Sequence, residues 1–350
     1  MHSRNIRIGN SLIGYGQPPY IIAEAGINHN GDIAIAKEMI RVAKESGANA
    51  VKFQTYKADE FCFDSQQEYS YNVGSVAVIE PMWEMFKRHE FTSEQWKELS
   101  QYADMQGITF LSTPQNLTDL RVLLPLGIKA IKVGSDDLVN SPLIREYARY
   151  GLPIILSTGM SNISEMYRAL EAASWFNKNE VAMLICTSMY PTPKEEAGIA
   201  RINTLRSAFP GLVVGFSDHT ETNSAAVVAR ALGACIFEKH FTLDKESYGP
   251  DHRFSLDPIE LRSWVKDIGE VDTLLGDPHL RMRNSEEENR KNFRRIIFAA
   301  EAISKGQVYA SKNFKMGRSK GGEGLPPYFV DFLIGKVARR NFEENDVIEL

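Results

Sequence analysis

The sequence lacks any apolar run of the roughly 18 residues that a membrane-spanning helix needs, and its opening, MHSRNIRIGN, lacks the apolar core of a secretory signal. It also lacks a strong charge excess, since the formal net charge is −5 with 24% charged residues, which argues against nucleic acid or a membrane surface as a partner. Its three cysteines, Cys62, Cys186 and Cys235, cannot all pair. We therefore expect a cytoplasmic globular protein.

Eight short apolar runs, each followed by a helix-like stretch, recur along most of the chain. Strands buried on both faces read as near-continuous Val, Ile and Leu runs, and their alternation with helices indicates parallel pairing. The runs cover residues 19–26, 48–55, 108–114, 129–135, 152–159, 181–188, 212–219 and 235–242. The helical patterns cover residues 33–47, 92–107, 116–125, 141–149, 161–176, 198–208, 222–232 and 257–274. Eight such units predict an α/β fold, a (β/α)₈ TIM barrel.

The composition of the chain changes after the predicted barrel, which we place at residues 1–276. Residues 277–293 are polar and rich in charge, as in a linker, and residues 294–350 contain short apolar pieces divided by Gly and Pro, which predicts a small β-rich module. One long insertion, residues 56–91, follows the second strand. Its residues 60–90 form either a lid over the site or a packed surface loop.

Polar residues end most of the predicted strands. Because the carboxyl ends of barrel strands face one pocket, we expect these side chains to converge there. They are Glu24, Lys52, Gln54, Thr113, Lys132, Ser135, Ser157, Ser188, Ser217, His219, Glu238 and His240. So many polar groups are costly in a core unless a ligand or metal satisfies them, and the pattern therefore predicts a catalytic site.

We expect two different kinds of role for five of the histidines. His219 and His240 end the seventh and eighth strands, which are neighbours in a closed barrel, and two imidazoles with nearby carboxylates suit a divalent metal. The alternative is that they are core or substrate-binding histidines. For His29, His89 and His252, which fall in loops, solvent contact or a local hydrogen bond is the default expectation.

Two lysines, Lys52 and Lys132, end the second and fourth strands. Lysines beside hydroxyl side chains favour the binding of an anion, whereas a lysine whose charge is suppressed forms a Schiff base, as in aldolases. The structural alternative is that they pair with carboxylates such as Glu24, Glu238 or Asp137.

The chain closely resembles the sialic acid synthase family. The resemblance rests on nine segments in the family's order, IIAEAGINHNGD, KFQTYKADEF, STP, KVGS, ILSTGM, CTSMYPTP, GFSDHT, EKHFTLD and GPDHRFSLDP, and the tail resembles the family's antifreeze-protein-like (SAF, β-clip) domain. It implies condensation of phosphoenolpyruvate with an N-acylated mannosamine-type sugar, N-acetylmannosamine first, to give a nine-carbon 2-keto acid and phosphate. It also implies a divalent metal, Mn²⁺ before Mg²⁺ or Co²⁺, and a domain-swapped homodimer.

The same resemblance implies roles for individual residues. His219 and His240 match the metal-binding histidines and, with Glu24 and Asp137, make up the predicted catalytic set. The residues expected to bind phosphoenolpyruvate are Lys52, Thr113, Lys132, Ser135, Ser157, Ser188 and Ser217. Those expected to bind the sugar are Gln54, Tyr190, Asp251 and Arg318, the last of which lies in the tail and would reach the partner's site.

At three places the sequence departs from the pattern of many bacterial members of the family, and all three are expected on the side of the site that binds the sugar. Ser188 replaces an Asn, and Asp136 and Asp137 replace a Gly followed by an acidic residue. In the tail, GRSKGGEG (317–324) replaces Lys-Arg-Pro-Gly-x-Gly. A legionaminic or pseudaminic acid synthase acting on a 6-deoxy diacetamido sugar is therefore the main alternative. More remote alternatives are a synthase that acts on a sugar 6-phosphate, a Schiff-base pyruvate aldolase and a non-catalytic carbohydrate-binding protein.

Overall fold

Two compact units make up the chain, the first ending at Gly276 and the second running from Asp277 to Leu350. The computed structural model describes residues 4–64, 66–73, 76–319 and 321–350. No helix in these ranges is long and apolar enough to cross a bilayer.

Eight parallel strands of the first unit curl into a nearly closed barrel. They are β1 (Tyr20–Gly26), β2 (Ala50–Thr55), β3 (Thr109–Pro114), β4 (Ile131–Val133), β5 (Ile154–Ser157), β6 (Val181–Cys186), β7 (Val213–Asp218) and β8 (Ile236–His240). Their order in the sheet is β3-β2-β1-β8-β7-β6-β5-β4, so a hydrogen-bonded ladder joins every sequential pair except β3 and β4, and β8 pairs with β1. The barrel predicted from the sequence is confirmed.

Helices alternate with these strands. They are α1 (Ile33–Glu45), α2 (Ser93–Gln106), α3 (Leu117–Leu123), α4 (Ser141–Ala148), α5 (Ile163–Ala172), α6 (Arg201–Ala208), α7 (Ser224–Ala231) and α8 (Pro258–Leu275). Local sequence sets their ends: Thr92 caps α2 in a capping box with Gln95, and Gly107 ends it with a φ of +66°. Outward-facing strand residues such as Val51 and Phe53 pack against the apolar helix faces in one large core.

The amino end of the barrel interior is closed by apolar side chains. Inward-facing residues such as Ile22 cluster there with Ile6 and Ile8, which belong to an N-terminal hairpin formed by Ile6–Ile8 and Ser11–Ile13. The sequence does not predict this hairpin, because three-residue strands are too short to show a periodicity of two.

The insertion after β2 has secondary structure of its own. Strands Glu68–Val73 and Val76–Pro81 form an antiparallel hairpin, and a short helix, Met82–Lys87, follows. Aromatic residues of the insertion pack around the buried Met85 in a small apolar cluster. Three residues of the predicted lid lie outside the described residues, namely Ser65, Gly74 and Ser75.

The second unit has a small apolar core. Its first part, expected to be a linker, contains a short helix, Glu287–Phe293. Strands Ile296–Ala299 and Phe314–Gly317 then pair antiparallel, and a single helical turn, Val330–Leu333, follows. The core consists of Ile297, Ala299, Ile303, Tyr309, Phe314, Leu333, Ala338, Phe342 and Ile348. The assignment of this unit as an SAF domain stays a prediction.

Candidate active site

The polar residues predicted at the barrel mouth lie on adjacent strands at its carboxyl end. The ladders place His240 opposite Glu24, and Glu24 opposite Lys52, across β8, β1 and β2. On the other side of β8, Glu238 lies opposite Ser217 of β7. The alternation of side chains along each strand turns these residues toward the barrel interior, while their neighbours face the helices.

Two lysines and two glutamates form a buried charge cluster in this mouth. Lys52 Nζ lies 2.6 Å from Glu24 Oε2 and 3.6 Å from Glu238 Oε2. Lys132 Nζ lies 3.8 Å from Glu238 Oε1. All four side chains are at most 7% exposed. The two positive and two negative charges balance, which is the condition under which buried charges are tolerated.

The charge cluster shifts the pKa values of its members in different directions. Burial raises the pKa of Glu24 to about 7, although Lys52 opposes the shift. Burial acts in the same direction on Glu238, but Lys132 and Lys52 outweigh it and lower the pKa. Glu24 is therefore the carboxyl of the cluster that exchanges a proton near neutral pH.

The two lysines also differ. Burial lowers the pKa of Lys132, whereas burial of Lys52 is outweighed by Glu238 and Glu24, which raise its pKa. Lys52 is thus held as an ammonium ion. That state suits the anchoring of an anion and opposes Schiff-base formation, which requires a neutral amine.

Three of the predicted hydroxyl side chains hold the charge cluster in place. Lys52 Nζ donates to Thr113 Oγ1 at 3.1 Å, and Lys132 Nζ donates to Ser157 Oγ at 2.7 Å. Ser217 Oγ donates to a carboxylate oxygen of Glu238 at 3.1 Å. These contacts fix the directions in which the ammonium groups point, so an incoming anion meets preorganised donors.

Ser135, Gly159 and Ser188 lie close together, and we call this group the serine cradle. Gly159 N donates to Ser135 Oγ at 3.0 Å, and Ser188 Oγ is buried with no hydrogen-bond partner in the part of the chain that is described. A Cβ at Gly159 would lie 2.1 Å from Ser188 Oγ and 2.7 Å from Ser135 Oγ. Only glycine at this position allows the two serine hydroxyls to approach the backbone this closely.

The rings of His219 and His240 approach each other, with centroids 5.6 Å apart. His219 Nδ1 lies 2.9 Å from the carbonyl oxygen of Thr187, so this nitrogen donates, and Nε2 has a lone pair when the ring is neutral. Burial lowers the pKa of His219, but the nearby Cys186 outweighs burial and raises this pKa. His240 Nδ1 is buried without a hydrogen-bond partner among the described residues, and Asp251 Oδ2 lies 3.7 Å from it. Burial, with the proximity of His219, lowers the pKa of His240 well below its usual range, which keeps the ring neutral.

These two imidazoles fit a divalent cation. A neutral ring with a partnerless buried nitrogen and a second ring oriented by a carbonyl are the kind of donors that such an ion binds. In the ranges that the structure describes, no group of three or more His, Cys, Asp or Glu residues is assembled around one cation position. A bound ion would therefore complete its coordination with water or substrate, as catalytic metal sites do.

A cavity of about 660 Å³ adjoins His240. Three residues predicted to bind the sugar, Gln54, Tyr190 and Asp251, line it together with Ser188. The rest of the wall is partly apolar or aromatic and partly polar, and it consists of Ile27, Tyr69, Ser70, Tyr71, Asn72, Met85, Phe86, Met189, Pro191, Glu221, Pro250, Arg253 and Phe254. Aromatic faces combined with hydrogen-bonding groups suit a polar small molecule. The insertion supplies part of this wall, and its opening and closing as a lid stays a prediction.

Two further predicted site residues, Asp137 and Arg318, have hydrogen-bond partners close to them in their own units. Asp137 lies in the turn before α4, where its Oδ1 accepts a hydrogen bond from Asn140 Nδ2 at 2.9 Å. Arg318 belongs to the second unit, where its Nε donates to the carbonyl oxygen of Phe293 at 3.1 Å. Their catalytic and sugar-binding roles stay predictions.

Sequence reasoning missed a buried ion pair behind the histidines. Asp218 and Lys239 immediately precede His219 and His240, and Lys239 Nζ lies 2.8 Å from Asp218 Oδ2 with both side chains at most 2% exposed. Trp264 of α8 donates to the same oxygen at 3.3 Å. Two charged residues at outward-facing positions of otherwise apolar strands were the available signal.

The three loop histidines are not at the surface. His29, His89 and His252 are 0%, 3% and 2% exposed, so the solvent contact allowed for them is wrong, and only the expectation of local hydrogen bonds holds.

A family model described as the NeuB family matches residues 39–279, more than half of the chain. The chain belongs to the NeuB family. This NeuB-family chain is similar to the N,N'-diacetyllegionaminic acid synthase of Campylobacter jejuni, with 37% identity over 94% of this chain and 98% of the relative. It is also similar to the human N-acetylneuraminate-9-phosphate synthase, with 33% identity over 96% and 93% of the two chains.

Among solved structures, the NeuB-family chain is similar to the N-acetylneuraminic acid (sialic acid) synthetase of Leptospira borgpetersenii in complex with citrate. The TM-score is 0.73 at 33% identity, and the likeness covers 82% of this chain and 95% of the other. The resemblance found in the sequence is thereby confirmed for the family.

Proposed function

We propose that this chain is a nonulosonate synthase that condenses phosphoenolpyruvate and water with an N-acylated mannosamine-type sugar, releasing a nine-carbon 2-keto acid and phosphate. One observation carries the proposal, the charge cluster with its two anchoring lysines beside the pair His219 and His240. Membership of the NeuB family and the printed activities of the relatives support it.

Phosphoenolpyruvate is a compact anion, and the proposal places it against Lys52, Lys132 and the serine cradle. Lys52 remains charged because two carboxylates face it, and the hydroxyl of Thr113 fixes its direction. Binding at two lysines orients the enol carbon toward the cavity that would hold the sugar, which converts an encounter of two substrates into one oriented pair.

A divalent ion on His219 and His240, Mn²⁺ in our proposal, would act as a Lewis acid toward the sugar aldehyde. In the condensation, carbon 3 of phosphoenolpyruvate forms a bond to the aldehyde carbon, and the aldehyde oxygen takes up a proton. Water adds to carbon 2 and loses its proton, for which Glu24, with a pKa raised to about 7 by burial, is the proposed acceptor. Cleavage of the carbon–oxygen bond then releases phosphate and leaves the keto group.

The proposal also concerns the identity of the acceptor sugar. N-acetylmannosamine is the first acceptor to test, with Gln54, Tyr190 and Asp251 as its contacts in the cavity. A 6-deoxy diacetamido sugar is the second, because the relative from Campylobacter jejuni is a diacetyllegionaminic acid synthase. The many apolar and aromatic groups of the cavity wall are compatible with the methyl groups of either sugar.

The second unit enters the proposal through Arg318. We propose that it is an SAF domain and that, in a domain-swapped homodimer, it brings this arginine to the partner's sugar. Substitution of Arg318 by Ala should then raise the KM for the sugar and leave that for phosphoenolpyruvate unchanged. Light scattering of the full chain tests the dimer independently, and a monomer at assay concentration would refute this part.

Turnover of a panel of acceptors tests the central proposal. The full chain, stripped of metal and reloaded with Mn²⁺, should release phosphate from phosphoenolpyruvate only when both the metal and an N-acylated mannosamine-type sugar are present. Absence of phosphate release with every such sugar would refute it. Borohydride trapping of a pyruvate adduct on Lys52 or Lys132, with no effect of EDTA, would favour the aldolase instead.

A further inference from the structure

Three loops that border the cavity meet at the side chain of Asn30. The amide atom of Asn30 that is placed as Oδ1 lies 3.3 Å from Nε2 of His89 and 3.3 Å from Nε2 of His252. Asn30 follows β1, His89 ends the insertion, and His252 lies in the loop after β8. Both imidazoles are buried, whereas Asn30 is exposed on its other side. We call this contact the asparagine junction.

The hydrogen atoms at the asparagine junction follow from the other ring nitrogens. His89 Nδ1 lies 2.6 Å from the carbonyl oxygen of Met85, which only accepts, so Nδ1 carries the proton and a neutral ring has a bare lone pair at Nε2. The atom of Asn30 that faces this lone pair must therefore donate. It is the NH₂ group, which has the same shape as the oxygen and is placed by its hydrogen-bond partners.

The same atom of Asn30 also faces His252. The second hydrogen of the NH₂ group determines which nitrogen of the neutral His252 ring carries the proton. An NH₂ group donates twice, so Nε2 of a neutral His252 must also be an acceptor. His252 Nδ1 then donates to Thr242 Oγ1 at 2.7 Å, and the Thr242 hydroxyl in turn donates to the carbonyl oxygen of Asp244 at 3.0 Å. Every donor in this chain of contacts has one acceptor. With both rings neutral, these contacts require the NH₂ group at the position placed as Oδ1, whereas Oδ1 at that position would require His89 to carry a proton on both nitrogens.

Burial supports the neutral state. It lowers the pKa of His252 to about 4 and lowers that of His89 as well. Arg88 lowers the pKa of His89 further, and the proximity of His89 lowers that of His252. Glu80 raises the pKa of His89 and Asp244 raises that of His252, but neither overcomes the effect of burial.

Glycines allow the three loops to come this close. A Cβ at Gly31 would lie 2.4 Å from the carbonyl oxygen of Arg88, the neighbour of His89. A Cβ at Gly249, whose φ is +149°, would lie 2.9 Å from His252 Nε2 and 3.0 Å from the Asn30 amide. Both positions therefore require glycine for the junction to form.

The loops that the asparagine junction joins carry different parts of the cavity wall. The insertion contributes Tyr69 and Phe86, and the loop after β8 contributes Asp251 and Phe254. We propose that Asn30 is a positioning residue that, by donating to two neutral histidines, fixes these two walls and thereby sets the affinity for the acceptor sugar. The kinetic part of this inference rests on the proposed function, whereas the hydrogen-bond assignment does not.

Nitrogen NMR of the ¹⁵N-histidine-labelled full chain at pH 7.5 tests the assignment without any substrate. His89 and His252 should both appear as neutral rings protonated at Nδ1, with their signals identified by loss in His89→Gln and His252→Gln. A ring protonated at Nε2, or at both nitrogens, at either position would overturn the assignment. A failure of the proposed enzymatic activity would leave this result unaffected.

The substitution Asn30→Asp tests the positioning role. A carboxylate cannot donate, so at least one of the two rings should become doubly protonated in the same spectrum. The KM for the acceptor should rise roughly tenfold and that for phosphoenolpyruvate should stay within about twofold, because the phosphoenolpyruvate anchors lie on other strands. The matched charge control is Asn203→Asp, on the exposed face of α6.

A second variant keeps the positioning role testable if Asn30→Asp does not fold. Gly249→Ala inserts a methyl group into the asparagine junction, whereas Gly151→Ala, also at positive φ, meets no atom within 4 Å. Only the first should raise the acceptor KM. An acceptor KM equal to that of the parent in both Asn30→Asp and Gly249→Ala would refute the positioning role.

Discussion

Removal of Lys239 should destabilise the barrel far more than removal of a surface lysine. Its ammonium group pairs with Asp218 at 2.8 Å, with both side chains at most 2% exposed. In Lys239→Met, Asp218 keeps hydrogen bonds from Thr220 and Trp264 but loses the one cation that pairs with it among the described residues. An unpaired buried charge costs about 3–5 kcal/mol of the free energy of unfolding.

That loss can be followed by calorimetry and urea denaturation. For a domain of this size it corresponds to a decrease in Tm of about 10 °C. The control is Lys266→Met, which removes an exposed ion pair with Glu270 and should change stability by less than about 1 kcal/mol. The double variant Asp218→Asn/Lys239→Met should recover about 2 kcal/mol, because no unpaired charge remains. A single variant within about 1 kcal/mol of the parent, or a double variant no more stable than the single, would refute the reasoning.

Three further predictions concern the site and its surroundings. His219→Ala and His240→Ala should each lose Mn²⁺ affinity by calorimetric titration while the far-ultraviolet circular dichroism of the barrel persists; unchanged affinity in either would contradict the metal assignment. Gly159→Ala should raise the KM for phosphoenolpyruvate because a methyl group fills the serine cradle, whereas Gly269→Ala in α8 meets no neighbour and should leave it unchanged. The pKa of His252 is about 4 in the folded protein and about 6.5 in the unfolded chain, so its contribution to stability is complete above pH 6.5. That contribution should decrease by at most about 3 kcal/mol as the pH falls toward 4. The free energy of unfolding of His252→Gln should therefore depend less on pH over this range than that of the parent.

The barrel could be predicted because its signal is repeated eight times. Runs such as 181–188 are apolar on both faces, and each ends close to the polar residues that face the mouth. The carboxyl ends of barrel strands meet at one mouth, and this rule predicted where four site residues lie, namely Lys52, Lys132, His219 and His240. The structure brings these side chains together as expected.

The missed features depend on contacts between distant segments. Asn30, His89 and His252 lie in three separate loops, and no pattern within any one of them indicates that they meet. The N-terminal hairpin is equally invisible, because its short strands are recognised only by the barrel interior that they fill. The pairing of Asp218 with Lys239 required the register of β7 and β8, which the sequence leaves undetermined.

The N-terminal hairpin also bears on synthesis of the protein. Its isoleucines are synthesised before most of the strands that bury them, and the apolar cluster around them includes Val213 and Ile236, at least 200 positions later in the chain. The native surface that covers this segment is therefore incomplete until those two strands have been synthesised. Until then, nascent chains should expose apolar surface that is vulnerable to aggregation or chaperone capture.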